Sequence, residues 1–215
     1  MVIVDMGDAF KVYLAGSLFR WHDLMGNAAL AESIEKLSGA RYQPVLPQSV
    51  ESSQLRGSEI RDLDFELLFS SDLLLVQFDG SELDSGSAVE FCFAKAADIP
   101  AVILRTDFRN FGDSPNGDPW NLMCSAYPRT EKVLVNAMDL YFKNALDIKS
   151  GTEQLALQVI DALDKVCVRP AWLKRESAVA HWKNLVCSIS GTLPERLTDL
   201  RLQELLERKV KKQLL

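Results

Sequence analysis

Three carboxylates in the middle of the chain are close enough in sequence to act on one substrate. Asp79 follows a short apolar run, Asp84 comes five residues later, and Glu90 comes six residues after Asp84. A carboxylate can act as a nucleophile, and a second carboxyl group can deliver a proton or hold a hydroxyl. If Glu90 lies in the first turn of a helix, the positive end of the helix dipole favours its ionised form, which suits a nucleophile. The functional interpretation of this pattern is therefore acid–base and nucleophilic chemistry.

The same residues also have a purely structural explanation. Ser87 and Glu90 have the Ser-x-x-Glu spacing of a capping box, in which the two side chains bond backbone N–H groups at a helix start. Asp79-Gly80 is an ordinary turn pair. Because helix caps are far commoner than active sites, spacing alone favours this explanation over a catalytic one.

A strand–loop–helix–strand unit is predicted to position these acids. Residues Leu73 to Phe78 form a continuous apolar run, which is typical of a strand buried on both faces of a parallel sheet. Ser87 to Ala97 has apolar residues at helical spacing, and Pro100 to Leu104 is a second apolar strand. Ligands of such units bind beyond the carboxyl ends of the strands, where the loop from Asp79 to Gly86 would lie.

The rest of the chain predicts a doubly wound α/β sheet in residues 1–168, followed by a helical extension in residues 169–215. The extension could clasp the domain, pair with another subunit or bind a partner, and its sequence does not choose between these. The turn Gly16-Ser17 with Arg20 is only a weak phosphate-binding signal. The further predicted elements are a strand Phe10 to Ala15, a helix Phe19 to Leu37, an extended segment Arg41 to Pro47, a polar loop Gln48 to Gly57, a helix Ser58 to Ser70, a surface loop Asp107 to Pro119, a strand Lys132 to Asn136 and a helix Gly151 to Val168.

Composition excludes several classes of function. The chain has 215 residues, of which 47% are hydrophobic, so it can bury a sizeable core. Its net charge of -6 argues against binding to a nucleic-acid backbone. His22 and His181 lack the neighbours of a metal site, and the scattered cysteines are typical of a reducing compartment. No apolar run reaches membrane-spanning length, and the N-terminus lacks a signal-peptide pattern. We therefore expect a cytoplasmic protein without a cofactor, a membrane partner or a nucleic-acid partner.

Several short motifs occur together in an order and spacing that characterise one enzyme family. They are Tyr13-Leu-Ala-Gly16-Ser-Leu-Phe19, Asp64 eight residues before Asp72, Asp84-Ser-Gly86-Ser-Ala-Val-Glu90, and Asn121-Leu-Met123. In these motifs the sequence resembles the nucleoside 2-deoxyribosyltransferase family. The resemblance covers about residues 10 to 135 and not the C-terminal extension. It implies a flavodoxin-like fold.

The resemblance also implies an activity, which is transfer of 2-deoxyribose between nucleobases through a covalent deoxyribosyl-glutamate. By position, Glu90 would be the nucleophile and Tyr13 would orient it. Asp84 and Asp64 would bind the sugar hydroxyls and the base or its proton. A deoxynucleoside and a free nucleobase would be the substrates. The family pattern implies a homo-oligomer whose subunits share active sites, with Asn121 and the nearby Met123 reaching in from a neighbour. Residues expected to bind substrate are Gly16, Phe19, Asp79, Gly86, Asn121 and Met123.

The sequence departs from the family at the residues after the glutamate. Family members usually have Ile-Gly or Leu-Gly there, whereas this chain has Phe91-Cys92, and the larger Cys92 is expected to shift Glu90 slightly. One alternative function is an N-glycoside hydrolase of (deoxy)nucleoside 5'-monophosphates. Such hydrolases have a Gly-Ser-x-Arg first turn, and here Arg20 is one position late. Another alternative is a non-catalytic nucleotide-binding module that acts through its helical tail.

Overall fold

A parallel sheet forms the centre of the structure. The structure is a computed structural model that describes residues 9–50, 57–114, 116–144 and 147–215. Within these residues the sheet has five strands, which lie in the order β2-β1-β3-β4-β5 and all run parallel. This is the flavodoxin-like strand order, so the predicted fold is confirmed. The strands are β1 Phe10–Ala15, β2 Tyr42–Val45, β3 Leu73–Gln77, β4 Ala101–Arg105 and β5 Thr130–Leu134.

Helices cover both faces of the sheet because alternate strand residues point to opposite sides. The helices are α1 Trp21–Leu37, α2 Gly57–Ser70, α3 Ser85–Ala96, α4 Ala137–Lys143 and α5 Ile148–Cys167. Val12 and Leu14 share an apolar cluster with α1 and α5, whereas Tyr13 and Ala15 belong to the cluster on the other face, which contains α2 and α3. In the described part of the chain, no helix has the length and apolar character that a membrane span needs.

Some predicted boundaries differ from those observed. The first helix begins two residues later than predicted, and β5 begins at Thr130 rather than at Lys132. The helix α4 was not predicted, because it has no buried residue and therefore no clear apolar face. In the predicted loop from Gln48 to Gly57, residues 51–56 lie outside the described residues. The described part of the connection between β4 and β5 contains a short 3-10 helix, Leu122–Cys124.

The C-terminal extension packs against the face of the sheet that carries α2 and α3. Its helices are α6 Arg175–Ile189, α7 Leu193–Arg196 and α8 Asp199–Lys211. The Trp182 ring meets the Phe69 ring edge-on with centroids 5.2 Å apart, and its Nε1 donates a hydrogen bond to the Ala97 carbonyl over 3.0 Å. Within one chain the tail therefore clasps the domain. The division at residue 168 stays a prediction, although residues on both sides of it share one apolar cluster.

A buried ionic cluster fixes the last helix to the amino-terminal end of β3. The carboxylate of Asp72 accepts hydrogen bonds from Lys212 Nζ over 2.8 Å and from Arg208 Nε over 3.2 Å, and Lys209 Nζ donates to the Ser71 carbonyl. Burial alone raises the pKa of Asp72, but the charges of Lys209 and Arg208 and the Lys212 bond hold it below its ordinary value. Burial lowers the pKa of Lys209 to about 7. The last helix is thus held at the end of the sheet opposite to the candidate site.

Candidate active site

A direct hydrogen bond joins the first strand to the helix that carries the candidate nucleophile. Tyr13 is fully buried in β1, and its side chain faces α3. Its hydroxyl donates to Oε1 of Glu90 over 2.5 Å. Glu90 itself is half-buried. The contact orients one carboxylate oxygen and brings together two residues that lie 77 positions apart in the chain.

The start of α3 differs from the predicted capping box. The helix begins at Ser85, and Asp84 is its N-cap, accepting hydrogen bonds from the backbone N–H and from Oγ of Ser87, each over 2.8 Å. The predicted cap with Ser87 and Glu90 is therefore wrong, because the Asp84 carboxylate already satisfies the first-turn N–H. Glu90 lies in the second turn, not the first. The helix dipole favours its ionised form less than the sequence suggested, since that effect fades within the first turn.

Aromatic packing holds α3 against the end of β3. The Phe91 ring meets the rings of Phe78 and Tyr127 edge-on, at centroid distances of 5.4 Å and 5.3 Å. Phe91 is fully buried, whereas the next residue, Cys92, is exposed. The Cys92 side chain therefore does not lie between the helix and the sheet. The predicted shift of Glu90 by Cys92 has no steric cause in this structure.

Two glycines at the site allow close approaches. A Cβ atom added to Gly86 would meet Asp84 Oδ2 at 3.3 Å, and one added to Gly16 would meet Gln77 Cβ at 3.3 Å. Asp64 is half-buried on α2, which packs on the same side of the sheet as Tyr13 and α3. Asp64 therefore lies on the helix next to α3, which Asp84 caps and which carries Glu90.

Three residues predicted to bind substrate lie at the surface, including the two that were expected to reach into the site of a neighbouring subunit. Phe19 is 77% exposed and Met123 is 71% exposed. Asn121 is also exposed, and its side-chain oxygen accepts a hydrogen bond from the Met123 backbone N–H over 2.9 Å, which caps the short 3-10 helix. The structural role that sequence reasoning allowed for Asn121 is thus present within the chain.

Asp79 contacts the loop that follows the neighbouring strand. Its Oδ1 accepts hydrogen bonds from the backbone N–H groups of Thr106 over 2.6 Å and of Asp107 over 2.9 Å. Its Oδ2 accepts a third, from Thr106 Oγ1, over 2.8 Å. Both oxygens of this predicted substrate-binding residue are therefore occupied by protein donors.

Sequence reasoning missed Arg105, whose guanidinium lies beneath the same loops. Its side chain is 1% exposed, and it donates hydrogen bonds to the carbonyls of Phe78 and, over 3.3 Å, of Gly80. The available signal was a charged residue that ends an otherwise apolar strand, Ala101–Arg105. A buried arginine is rarely found without partners, so its position in the strand pointed to a local role.

A carboxylate also occupies the turn after β1. Ser17 Oγ donates to Asp23 Oδ2 over 2.8 Å, and Arg20 Nε donates to the same oxygen over 2.9 Å. Burial raises the pKa of Asp23, but the bonds from Arg20 and Ser17 outweigh it and keep the pKa below the ordinary value. The two donors that a phosphate would need in this turn are bound to an anion of the protein.

The geometry suits chemistry at a carbon that develops positive charge. A carboxylate held by a tyrosine hydroxyl can trap such a centre, while a second carboxyl group serves the leaving group. Across the described ranges, no three His, Cys, Asp or Glu side chains are grouped so that they could hold a metal ion.

One family profile agrees with the motifs. The sequence profile described as "Nucleoside 2-deoxyribosyltransferase" matches residues 12–123, slightly more than half of the chain. No curated protein gives a significant match.

A solved structure of a conserved protein from Enterococcus faecalis V583 is 29% identical, covers 64% of this chain and 99% of its own, and has a TM-score of 0.50. The 2-deoxyribosyltransferase from Bacillus psychrosaccharolyticus is 20% identical over 53% of this chain and 79% of its own, with a TM-score of 0.41. The 2-desoxiribosyltransferase from Leishmania mexicana is 19% identical over 64% and 97%, with a TM-score of 0.47.

Proposed function

The chain belongs to the nucleoside 2-deoxyribosyltransferase family, and from this we propose that it moves 2-deoxyribose between nucleobases through a covalent intermediate on Glu90. The observation that carries the proposal is the hydrogen bond from the Tyr13 hydroxyl to the Glu90 carboxylate. Both residues lie inside the matched segment. A buried hydroxyl that holds one carboxylate oxygen fixes the orientation of the Glu90 carboxylate, which a nucleophile needs.

In the first half of the reaction, a Glu90 oxygen forms a bond to the anomeric carbon of the deoxynucleoside. The N-glycosidic bond breaks, and its electron pair leaves with the base, which takes a proton from Asp64. In the second half, a nitrogen of the incoming base attacks the same carbon, the bond to Glu90 breaks, and the proton of that nitrogen returns to Asp64. Two inversions give net retention, as in retaining glycosidases.

Asp84 is proposed to hold a sugar hydroxyl. Among the described residues, the two hydrogen bonds that it makes as the cap of α3 both go to Oδ2, so Oδ1 can accept a bond from the substrate. The cap places this oxygen on the same helix as the nucleophile. One carboxylate therefore serves both the helix start and the sugar.

Exchange of bases tests the proposal. The protein is incubated with a purine deoxynucleoside and a free pyrimidine base, and the products are separated by chromatography. A new deoxynucleoside supports the transferase. Free deoxyribose without exchange indicates the hydrolase, and the absence of any product indicates a binding module.

Because Ser17 and Arg20 are both bound to Asp23, we expect a deoxynucleoside 5'-monophosphate to react more slowly than the deoxynucleoside.

Substitution of Asp84 separates its two roles. Asp84→Asn keeps a good cap, so the melting temperature should change little, while a weaker acceptor for the sugar hydroxyl should lower kcat about 10-fold or more. Asp84→Ala should lower kcat further and also cost about 1 kcal/mol of stability. Thermal melts and initial transfer rates measure both effects. An Asn variant with the wild-type rate would show that Asp84 is only a cap.

We further propose that the active protein is a homo-oligomer in which Asn121 completes the site of a neighbouring subunit. The support is that Phe19 and Met123, which flank the site in the family pattern, are large apolar side chains left exposed by their own chain. A neighbouring subunit that covered these side chains would remove their apolar surface from water, which is favourable. The bond within the chain that Asn121 makes through Oδ1 leaves its amide group to donate to a substrate or a partner.

Mixing two inactive variants tests the shared site. Glu90→Ala and Asn121→Ala proteins are each expected to be inactive, and mixtures that exchange subunits should regain activity, because some interfaces then combine an intact Glu90 with an intact Asn121. Fluorescent labels on the two variants report the exchange. If the labels show exchange and the mixture stays inactive, each site is built from one chain.

A further inference from the structure

Two charged side chains connect the segments that follow β3 and β4. Each side chain bonds to the backbone of the other segment. The Asp79 carboxylate, at the end of β3, accepts three hydrogen bonds from Thr106 and Asp107 after β4. The Arg105 guanidinium, at the end of β4, donates to the carbonyls of Phe78 and Gly80. We call these two residues the Asp79–Arg105 pair.

The pair lies in an environment that strengthens each bond. Arg105 is buried, and Asp79 is half-buried. Hydrogen bonds to charged groups are stronger than those between neutral groups, and a low local dielectric strengthens them further. Arg105 also donates to the Arg109 carbonyl over 3.0 Å, which ties the loop after β4 to the same point. The carbonyl groups of Phe78 and Gly80, the residues on either side of Asp79, are therefore held by Arg105.

Residues 78–80, which the pair holds, lead directly to α3, the helix that carries Glu90. Gly80 has φ of +97°, a conformation that suits glycine and turns the chain sharply away from β3. Four residues later, Asp84 caps α3, and Glu90 lies on the next turn of that helix. A displacement at residues 78–80 would therefore move both the sugar-binding and the nucleophilic carboxylates.

We infer that Asp79 and Arg105 are positioning residues, which set the place of Asp84 and Glu90 without touching the substrate. The inference rests on the proposed function for its kinetic test. It assigns Asp79 a role other than the substrate contact that the sequence suggested, because the donors from the next loop already use both of its oxygens.

Kinetics of Asp79 variants test the inference. In Asp79→Ala we expect kcat to fall about 100-fold, because a small misplacement of reacting groups has an effect of that size. We expect KM to change much less than kcat, because Asp79 itself makes no substrate contact. Asp79→Asn should fall between Ala and wild type, since it keeps one acceptor oxygen. The control is Glu82→Gln, which removes the same charge from an exposed position in the same loop and should leave the kinetics unchanged.

The fraction of working sites separates positioning from loss of folded enzyme. The amount of deoxyribosyl-enzyme formed in a single turnover should remain stoichiometric in Asp79→Ala but accumulate slowly. A reduced amount with a normal rate would mean that the residue only supports folding. A raised KM with an unchanged kcat would mean that Asp79 binds substrate. Wild-type kinetics in Asp79→Ala would mean that it does neither. Each of these three results overturns the inference.

Hydrogen–deuterium exchange gives a readout that does not depend on catalysis. Amides of residues 80–87 should exchange faster in Asp79→Ala and in Arg105→Met than in wild type, and Glu82→Gln should match wild type. If wild type transfers no sugar, the proposed function fails, while faster exchange still supports positioning of the loop by the pair. Unchanged exchange in both variants overturns the inference.

Discussion

Glu90→Gln is expected to give a folded protein that no longer transfers deoxyribose. The amide cannot form the covalent bond to the anomeric carbon, and loss of a nucleophile typically lowers kcat by about 10³-fold or more. The Tyr13 hydroxyl can still donate to the amide oxygen, so the contact between β1 and α3 should persist. The melting temperature should therefore stay close to that of wild type.

Mass spectrometry after incubation with a deoxynucleoside checks this result. Wild type should gain the mass of one deoxyribosyl group on the peptide that contains Glu90, and the Gln variant should gain none. A matched control is Glu35→Gln, an equal change on the exposed face of α1, which should keep full activity. If the Gln variant at position 90 retained a rate within about ten-fold of wild type, a role as nucleophile would be ruled out.

Asp72→Ala is expected to produce the largest loss of stability. Removal of the carboxylate leaves Lys209 and its neighbours Arg208 and Lys212 without their counter-charge. Breaking one side of a buried ionic cluster costs about 3–5 kcal/mol, which corresponds to a fall of roughly 10 °C in melting temperature for a chain of this size. The last helix should detach from the sheet before the rest unfolds, because this cluster fixes it at its end.

The pH dependence of unfolding tests whether the missing Asp72 charge causes the loss of stability. The pKa of Asp72 lies below the ordinary value near 3.9, so its contribution is fully present above about pH 4 and is lost as the pH falls through its own lower pKa. The difference between wild type and Asp72→Ala should therefore shrink in acid. The control is Asp161→Ala, which removes an exposed ion pair with Lys165 and should have little effect. Equal melting temperatures for wild type and Asp72→Ala would show that the cluster does not hold the tail.

Local patterns in the sequence predicted the parallel sheet well. The strand Phe10–Ala15 has the predicted bounds, because its last four residues form an apolar run that is buried on both faces of the sheet. The start of α3 was predicted less well. Asp84 and Ser87 are both good caps, and the choice between them depends on the direction in which the chain leaves β3. That direction is set by contacts with the next strand, which local spacing does not record.

The sequence by itself determined a doubly wound parallel sheet with candidate acids at the carboxyl ends of its strands. Its motifs also determined the resemblance to the family, and that resemblance implied the flavodoxin-like fold. Only the tertiary structure decided which of these acids already have protein partners. Asp79 meets a donor 27 positions away, and Asp72 meets Arg208 at a separation of 136. The amphipathic pattern of the tail likewise predicted helices but not the surface that they cover. Hydrophobic periodicity is a property of neighbouring residues, whereas the pairing of charges depends on the order of strands in the sheet, which brings distant segments together.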